Sequence, residues 1–266
     1  MFRPLSLAHL TIAEVPPPDV PSIAAAAGFQ SISLRLHSPR PDVASPPMLG
    51  DTAMRRATRR NLNDSGVDLF NIKALLLRPD SGIDSYASLL ETGAYLGARG
   101  ALVVGLDPDE DRLVDRFAAL AELSASYAIA LQLEFMVFSE VKSLAQAVRI
   151  VRRSGAATAG IVVDALHLHR TGSTPADVAA LQPSLLACIQ LCDGPDTVDP
   201  ATVLDEARCD RGFLGEGMFP LVNLLEATPE DAAIALEIPA ERLRLQGVSA
   251  ARRAERAYRS FQTLFG

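Results

Sequence analysis

One beat, repeated along the chain, constrains the fold more than any other feature: a helical stretch closes on Gly and an apolar run follows at once. It appears in "IAAAAGFQSISLRL" (residues 23–36) and again in "NLNDSGVDLFNIKALLL" (residues 61–77). "LGARGALVVG" (residues 96–105) and "VRRSGAATAGIVVD" (residues 151–164) repeat it. Gly ends a helix by taking the left-handed conformation, and an uninterrupted apolar run after it reads as a buried strand. Eight such runs can be marked, near residues 5–10, 31–36, 67–77, 100–105, 129–136, 160–166, 186–192 and 233–238. Helical segments fall between them, among them residues 108–127 and 143–154, and a last one covers residues 249–264. Alternating β and α units predict a parallel sheet. Eight units in about 250 residues is the size of a (β/α)8 TIM barrel. A doubly wound open sheet is the rival, and no GxGxxG follows the first strand to favour it. With no linker or break in composition, residues 1–266 are expected to form one domain.

The strands then predict where chemistry gathers, because alternate residues of a barrel strand point inward and the C-terminal strand ends form the mouth. In "IALQLEFM", Ala130, Gln132 and Glu134 oppose Ile129, Leu131 and Leu133. In "GIVVDALH", Asp164 opposes Ile161 and Val163; in "ACIQLCD", Gln190 opposes Ile189 and Leu191; in "AAIALEIP", Glu237 opposes Ile234, Leu236 and Ile238. The last four strands thus each carry one oxygen-bearing residue late, on the face away from the bulky aliphatics. Each alone would pass as a polar strand end bonded to loop backbone. All four in one parity point to a cation, since three carboxylates do not share a low-dielectric mouth without a cation or shared protons. Glu134, Asp164, Gln190 and Glu237 are therefore the expected metal ligands. An oxygen-rich set suits Mn2+ or Mg2+, with Co2+ or Zn2+ also compatible.

Further residues are candidates for the substrate. His167, three beyond Asp164, is expected at the start of the following loop, to bond a substrate hydroxyl or move a proton. Arg35 in "SISLRLH" shares the inward parity, where a guanidinium can hold a carboxylate, a phosphate or the carboxylates of the metal shell. Lys73 in "NIKALLL" is a similar candidate, and His9 ends the first strand run with its facing left open.

Composition excludes several classes. The chain has 266 residues, 48% of them hydrophobic, enough for a substantial core. A net charge of -7 gives no general attraction for nucleic acid, and the cluster Arg55, Arg56, Arg59 and Arg60 reads as exposed helix faces. No leader pattern and no apolar stretch of membrane-spanning length is present, so a cytoplasmic protein without membrane contact is expected. Three cysteines, Cys188, Cys192 and Cys209, are too few and too close for a disulfide framework and read as reduced thiols, two of them in the core.

The Glu of "LQLEFM", the Asp-x-x-His of "VVDALH", the polar residue of "CIQLCD", "DRGFLGEG" (residues 210–217) and "LEIP" together resemble the xylose isomerase-like TIM barrel superfamily. That superfamily includes sugar and sugar-phosphate isomerases, ketose 3-epimerases, inosose dehydratases, 3-dehydroshikimate dehydratases and an endonuclease group. The resemblance covers essentially the whole chain. It implies that Glu134 and Glu237 are both metal ligands and the acid/base pair, that Asp164 is a ligand only, and that His167 contacts substrate oxygens. Arg211 matches the arginine of an "R-x-x-P-G-x-G" loop beside the substrate, although Leu214 stands where that loop usually has proline; Arg208 is a second candidate for the role. Many members carry His where this chain has Gln190, and the 3-dehydroshikimate dehydratase branch resembles this chain in having Gln. The endonuclease branch needs several histidines around its zinc ions, and this chain has four in all.

The resemblance implies a metal-dependent sugar isomerase or epimerase of carbohydrate metabolism, acting on a small polyhydroxy carbonyl compound by Glu-mediated proton transfer beside a metal-polarised carbonyl. A dehydratase (lyase) of the 3-dehydroshikimate or inosose type is the alternative, and a non-catalytic sugar-acid-binding barrel is a third. The sequence leaves a homo-oligomer open. Because Gln190 carries no titratable proton, metal affinity is expected to change little between about pH 7 and 6.

Overall fold

The protein is described by a computed structural model, which covers residues 4–38 and 44–266. Among these residues eight strands close into one barrel in sequence order: β1 (Leu5–Ala8), β2 (Ser31–Arg35), β3 (Asp68–Leu77), β4 (Gly100–Gly105), β5 (Ala130–Glu134), β6 (Ala159–Asp164), β7 (Leu186–Leu191) and β8 (Ile234–Leu236). Every neighbouring pair is parallel, and β8 closes the ring by pairing with β1, Ser6 beside Ala235. The helices are α1 (Val20–Ala27), α2 (Ala53–Ser65), α3 (Ala87–Leu96), α4 (Glu110–Ala125), α5 (Leu144–Ser154), α6 (Ala165–Arg170), α7 (Pro175–Ala179), α8 (Val203–Cys209), α9 (Leu221–Glu226), α10 (Glu241–Leu245) and α11 (Ala250–Phe265). This is the (β/α)8 TIM barrel that the alternating pattern predicts.

Glycine ends the helices α1, α2, α3 and α5, at Gly28, Gly66, Gly97 and Gly155, each in the left-handed conformation. α1 stops at Gly28, at φ +103°, whose N–H returns to the carbonyls of Ala24 and Ala25. The next residues pair at once into β2. Gly100 acts differently: it is the first residue of β4, and a Cβ there would run into the Gln132 amide. Gln132 itself is fixed, since Asn71 Nδ2 donates to its Oε1 at 2.6 Å. The barrel is therefore filled there by one amide leaning across a bare strand.

Two apolar layers result from the strand alternation. The outer faces of the strands (Leu5, Leu7, Ile32, Leu34, Ile161, Val163, Ile189 and Leu191) pack with helix residues such as Phe117, Leu120, Ile150 and Ala254 in one continuous core. A smaller cluster, Leu102, Val104, Met136, Val162, Cys188 and Ala235, fills the barrel itself. Fully burying each large aliphatic side chain stabilises by roughly 1.5–3 kcal/mol, so the outer layer dominates the fold.

Several strands end before the apolar runs do, the run at 129–136 stopping at Glu134, and three of these ends have a visible cause or consequence. The run at 5–10 stops at Ala8, and His9–Ile12 forms a 3-10 turn. Its Thr11 hydroxyl donates to Leu236 O at 3.1 Å and accepts from Ile238 N at 3.0 Å, which ties the turn to the last strand. The run at 160–166 stops at Asp164 because that carboxylate caps α6. The run at 233–238 is a strand only over Ile234–Leu236, so Glu237 stands just beyond it. Cys188 and Cys192 are buried free thiols and Cys209 is exposed. Among the described residues no helix is long and apolar enough to cross a membrane.

Candidate metal and acid/base site

The four expected ligand residues come from four adjacent strands at one end of the barrel. Glu134 ends β5, Asp164 ends β6, Gln190 is the fifth residue of β7, and Glu237 follows β8. Asp164 pairs in register with Gln190, and Gln190 with Ala235. All four side chains are buried, and Glu134 is the most accessible of them at 7%.

Their surroundings differ. Asp164 Oδ1 accepts from the backbone N–H groups of Leu166 at 2.9 Å and His167 at 3.2 Å, while Oδ2 accepts from Arg211 Nη1 at 2.7 Å. Glu237 Oε2 accepts from both Lys73 Nζ and Gln190 Nε2. Glu134 has no hydrogen-bond or ion-pair partner among the described residues. Two buried atoms beside these carboxylates are also without partners: Gln190 Oε1 and His167 Nδ1. Leaving such atoms unmatched costs about 1–3 kcal/mol each, which marks them as ligand positions or strain.

Glu134, Asp164 and His167 each offer a ligand atom, and these atoms lie within 4.8 Å of one another. Two carboxylates and an imidazole within this reach suit a divalent cation, and the unmatched Gln190 oxygen is a further neutral donor nearby. Glu237, also expected as a ligand, lies outside this group, its Oε2 taken by Lys73 and Gln190. The histidine is a second difference from the sequence expectation. His167 is in the helix α6, not a loop, and the Asp164 cap turns it into the cluster. The sequence had assigned His167 to a substrate hydroxyl or to proton transfer, not to the cation.

Electrostatics separate the carboxylates by role. Burial pushes Glu134 up to about 8, with Glu237 and Asp164 adding to the rise against the pull of Lys73. Burial acts the same way on Glu237, but Lys73 and Arg211 overcome it and hold that carboxyl below its usual range. Asp164 is likewise held low against burial, by Arg211 and His167. Burial lowers His167 to about 4, so its ring is neutral at physiological pH and able to offer a lone pair.

These groups open onto a cavity of about 180 Å3. Glu134, Glu237, His167, Lys73, Arg35 and Arg211 all stand on its wall, while Asp164 and Gln190 are buried beside it. His9 is not on the wall. Its Nδ1 accepts from Arg35 N at 3.1 Å and its Nε2 meets Val15 O at 2.9 Å, so it braces the backbone that carries Arg35. Burial lowers His9 to about 4 and keeps it neutral in that role. Arg208 and Arg211 both face the cavity: Arg211 is buried against Asp164, and Arg208 is exposed at the rim.

The remaining wall was not read from the sequence. Leu76, Leu102, Val104, Leu106 and Met136 form an apolar side, and Phe138 meets the His167 ring edge-on with centroids 5.3 Å apart. Arg78, just past β3, also reaches the cavity. Apolar strand residues and an arginine just after a strand carry no sequence signal that separates a cavity wall from an ordinary barrel interior.

Comparison with known proteins gives a consistent picture. The family model described as xylose isomerase-like TIM barrel matches residues 21–263. No curated protein matches the chain by sequence. A solved xylose isomerase-like TIM barrel/4-hydroxyphenylpyruvate dioxygenase fusion protein superposes with TM-score 0.81 at 20% identity; the alignment covers 98% of this chain and 42% of that one, so this chain spans less than half of its length. The IolI protein, solved with a zinc atom, superposes with TM-score 0.81 at 18% identity, over 98% of this chain and 97% of that one. A protein described as the probable 3-DHS dehydratase AsbF, from Bacillus anthracis, superposes with TM-score 0.77 at 14% identity, over 99% of this chain and all of that one (100%).

Proposed function

Because the chain belongs to the xylose isomerase-like TIM barrel family, we propose that it is a divalent-metal-dependent isomerase or epimerase of a small sugar, sugar phosphate or related polyhydroxy keto compound. The observation that carries the reading is a pair of buried carboxylates on one cavity wall whose environments drive their proton affinities apart. Such a divergence is how one site assembles an acid and a base.

Glu134, Asp164, Glu237 and the unmatched Gln190 oxygen would hold the cation, with His167 Nδ1 as a further donor. Mn2+ or Mg2+ suits the oxygens, and Co2+ or Zn2+ tolerates the imidazole more readily than Mg2+ does. A bound cation would polarise the substrate carbonyl and make the neighbouring C–H more acidic.

The chain's own residues do the rest. Glu237 is kept ionised by Lys73 and oriented by Gln190, so it is ready to take the proton from the carbon next to the carbonyl. The C–H electron pair then moves toward the carbonyl oxygen. Glu134, on the same cavity wall, has the higher proton affinity of the two, which suits the group that returns a proton to the carbon or to its neighbour. Arg211 holds Asp164 in place, and the apolar wall with Phe138 excludes water from the reacting carbon. General acid/base transfer of this kind is worth roughly 10²–10⁴-fold.

The test is solvent exchange. Metal-loaded protein in deuterated water, given a panel of keto-sugars, should place deuterium at the carbon next to the carbonyl, as read by NMR. Glu237→Gln should remove that exchange while the fold is kept. A metal-loaded protein that exchanges nothing across the panel would reject the isomerase reading.

Gln190 favours a second reading, a dehydratase on a cyclic keto acid, since the dehydratase branch shares a Gln in this strand. The same base would remove the proton and a β-hydroxyl would leave. Appearance of the ultraviolet band of a conjugated product from 3-dehydroshikimate supports it. Silence in both assays, with ligand binding retained, supports a binding barrel.

A further inference from the structure

The mouth carries more positive charge than the acid/base pair employs. Of the five cationic side chains on the cavity wall, Lys73 is matched by Glu237 and Arg211 by Asp164. The other three, Arg35, Arg78 and Arg208, have no carboxylate partner for their guanidinium groups among the described residues. They arrive from three separate elements: Arg35 ends β2, Arg78 follows β3, and Arg208 lies in α8. Arg35 is half-buried, and its backbone is braced by the buried ring of His9. Burial lowers its pKa most; Glu237 and Glu134 pull it back up without bonding it, and Arg208 and Arg211 press it down. Gathering like charges in a half-enclosed cleft is unfavourable unless an anion sits between them.

Elsewhere on the molecule many cations are matched: Arg112 is paired with Asp107, Arg149 with Glu110, Arg170 with Glu206, and Arg256 with Glu216. Arginines without an ion-pair partner among the described residues, such as Arg60 and Arg152, lie singly on exposed helix faces, whereas these three share one cavity wall. The facing wall is apolar (Leu76, Leu102, Val104, Met136), and the volume is small. A ligand that fits is compact, with one apolar face and one charged end.

We propose that the substrate carries an oxyanion, a carboxylate or a phosphate, held by Arg35 and Arg208 with Arg78 at the rim, while its hydroxy-carbonyl end faces Glu134 and Glu237. This rests on the reading of the cavity as the substrate site. Guanidinium forks match both oxyanions in geometry. The inference narrows the substrate class to sugar acids, keto acids and sugar phosphates, and excludes neutral sugars as the preferred ligands.

The experiment uses the full chain stripped of metal by a chelator, in low-salt buffer so that exposed charges are not screened. Binding of inorganic phosphate, D-gluconate and the neutral polyol D-glucitol is measured by calorimetry. At least one anion should bind ten-fold or more tightly than D-glucitol, and whichever anion binds better identifies the oxyanion. Arg208→Gln, at an exposed position, and Arg35→Gln should each weaken anion binding about ten-fold. Arg35→Lys should retain part of it, which separates lost charge from lost fold. Arg60→Gln, at an exposed position on α2 away from the cavity, should leave it unchanged. Equal binding of anion and polyol, or anion binding unaffected by both glutamine variants, overturns the proposal. A Mn2+ titration of the same preparation reads the metal site separately, so failure of that site and failure of the oxyanion site show up in different measurements.

Discussion

Glu134 is the residue on which the site turns. It is buried, has no hydrogen-bond partner, and burial raises it to about 8. In the metal-free protein it therefore holds its proton at neutral pH, and a cation must displace that proton. Below about pH 8 the cation affinity should fall close to ten-fold per pH unit, and calorimetry in buffers of different ionisation enthalpy should count one proton released. This differs from the expectation, drawn from Gln190 alone, of an affinity nearly flat between about pH 7 and 6, and the same titration decides between the two. The sequence displays Gln190's lack of a proton, but burial and the nearness of Glu237 and Asp164 set Glu134, and those are properties of the closed barrel. A linked effect follows for stability. A carboxyl raised in the folded state destabilises the fold as pH climbs from its unfolded value of about 4.5 towards 8. Glu134→Gln should therefore raise the Tm of the metal-free protein at pH 8, have little effect at pH 4, and weaken Mn2+ binding at least ten-fold. Parallel melting curves at the two pH values check the first part, and titration the second.

At the scale of elements, β6 and α6 act as one piece. Asp164 ends the strand, caps the helix and faces the cation position, and three residues on, His167 is delivered to the same place. The Asp-x-x-His spacing was legible in the sequence; the helix that gives it meaning was not, because six residues are too few to show a helical period. Arg170 at the end of α6 then bonds Glu206 of α8 through Nε at 2.9 Å and Nη2 at 2.6 Å, both groups buried. Breaking a buried pair by removing one partner costs about 3–5 kcal/mol. Arg170→Ala should lower the urea midpoint accordingly and, by releasing α8, weaken anion binding at Arg208. The barrel interior offers a second test. Gly100→Ala forces the Gln132 amide away from Asn71, and overpacking of this kind costs about 1–3 kcal/mol. Chemical denaturation of the single variant checks it.

For the whole molecule, the strand count and the barrel were legible because each unit repeats the same local signals: a glycine stop, an apolar run, a polar residue late in the strand. Closure was less so, since it depends on contacts between distant segments. Thr11, in the turn that follows β1, bonds the backbone on either side of Glu237. Phe29 and Tyr258 stack edge-on at 5.2 Å, joining the start of the barrel to α11. Thr11→Val should leave two buried backbone groups unmatched and cost about 1–3 kcal/mol. Because that same bond holds residue 237, the variant should also slow solvent exchange into keto-sugars more than it lowers Tm would account for, and measuring both on one preparation separates the effects.

Closure of β8 on β1 has a consequence for how the protein is made. Glu134, Asp164 and Gln190 leave the ribosome before Glu237 does, and Thr11 waits through more than two hundred residues of synthesis for its partner. A nascent chain that has not reached β8 carries Glu134, Asp164 and Gln190 but lacks Glu237 and the strand that closes the wall. Translation thus delivers the proposed base last, and with it the strand on which ring closure depends.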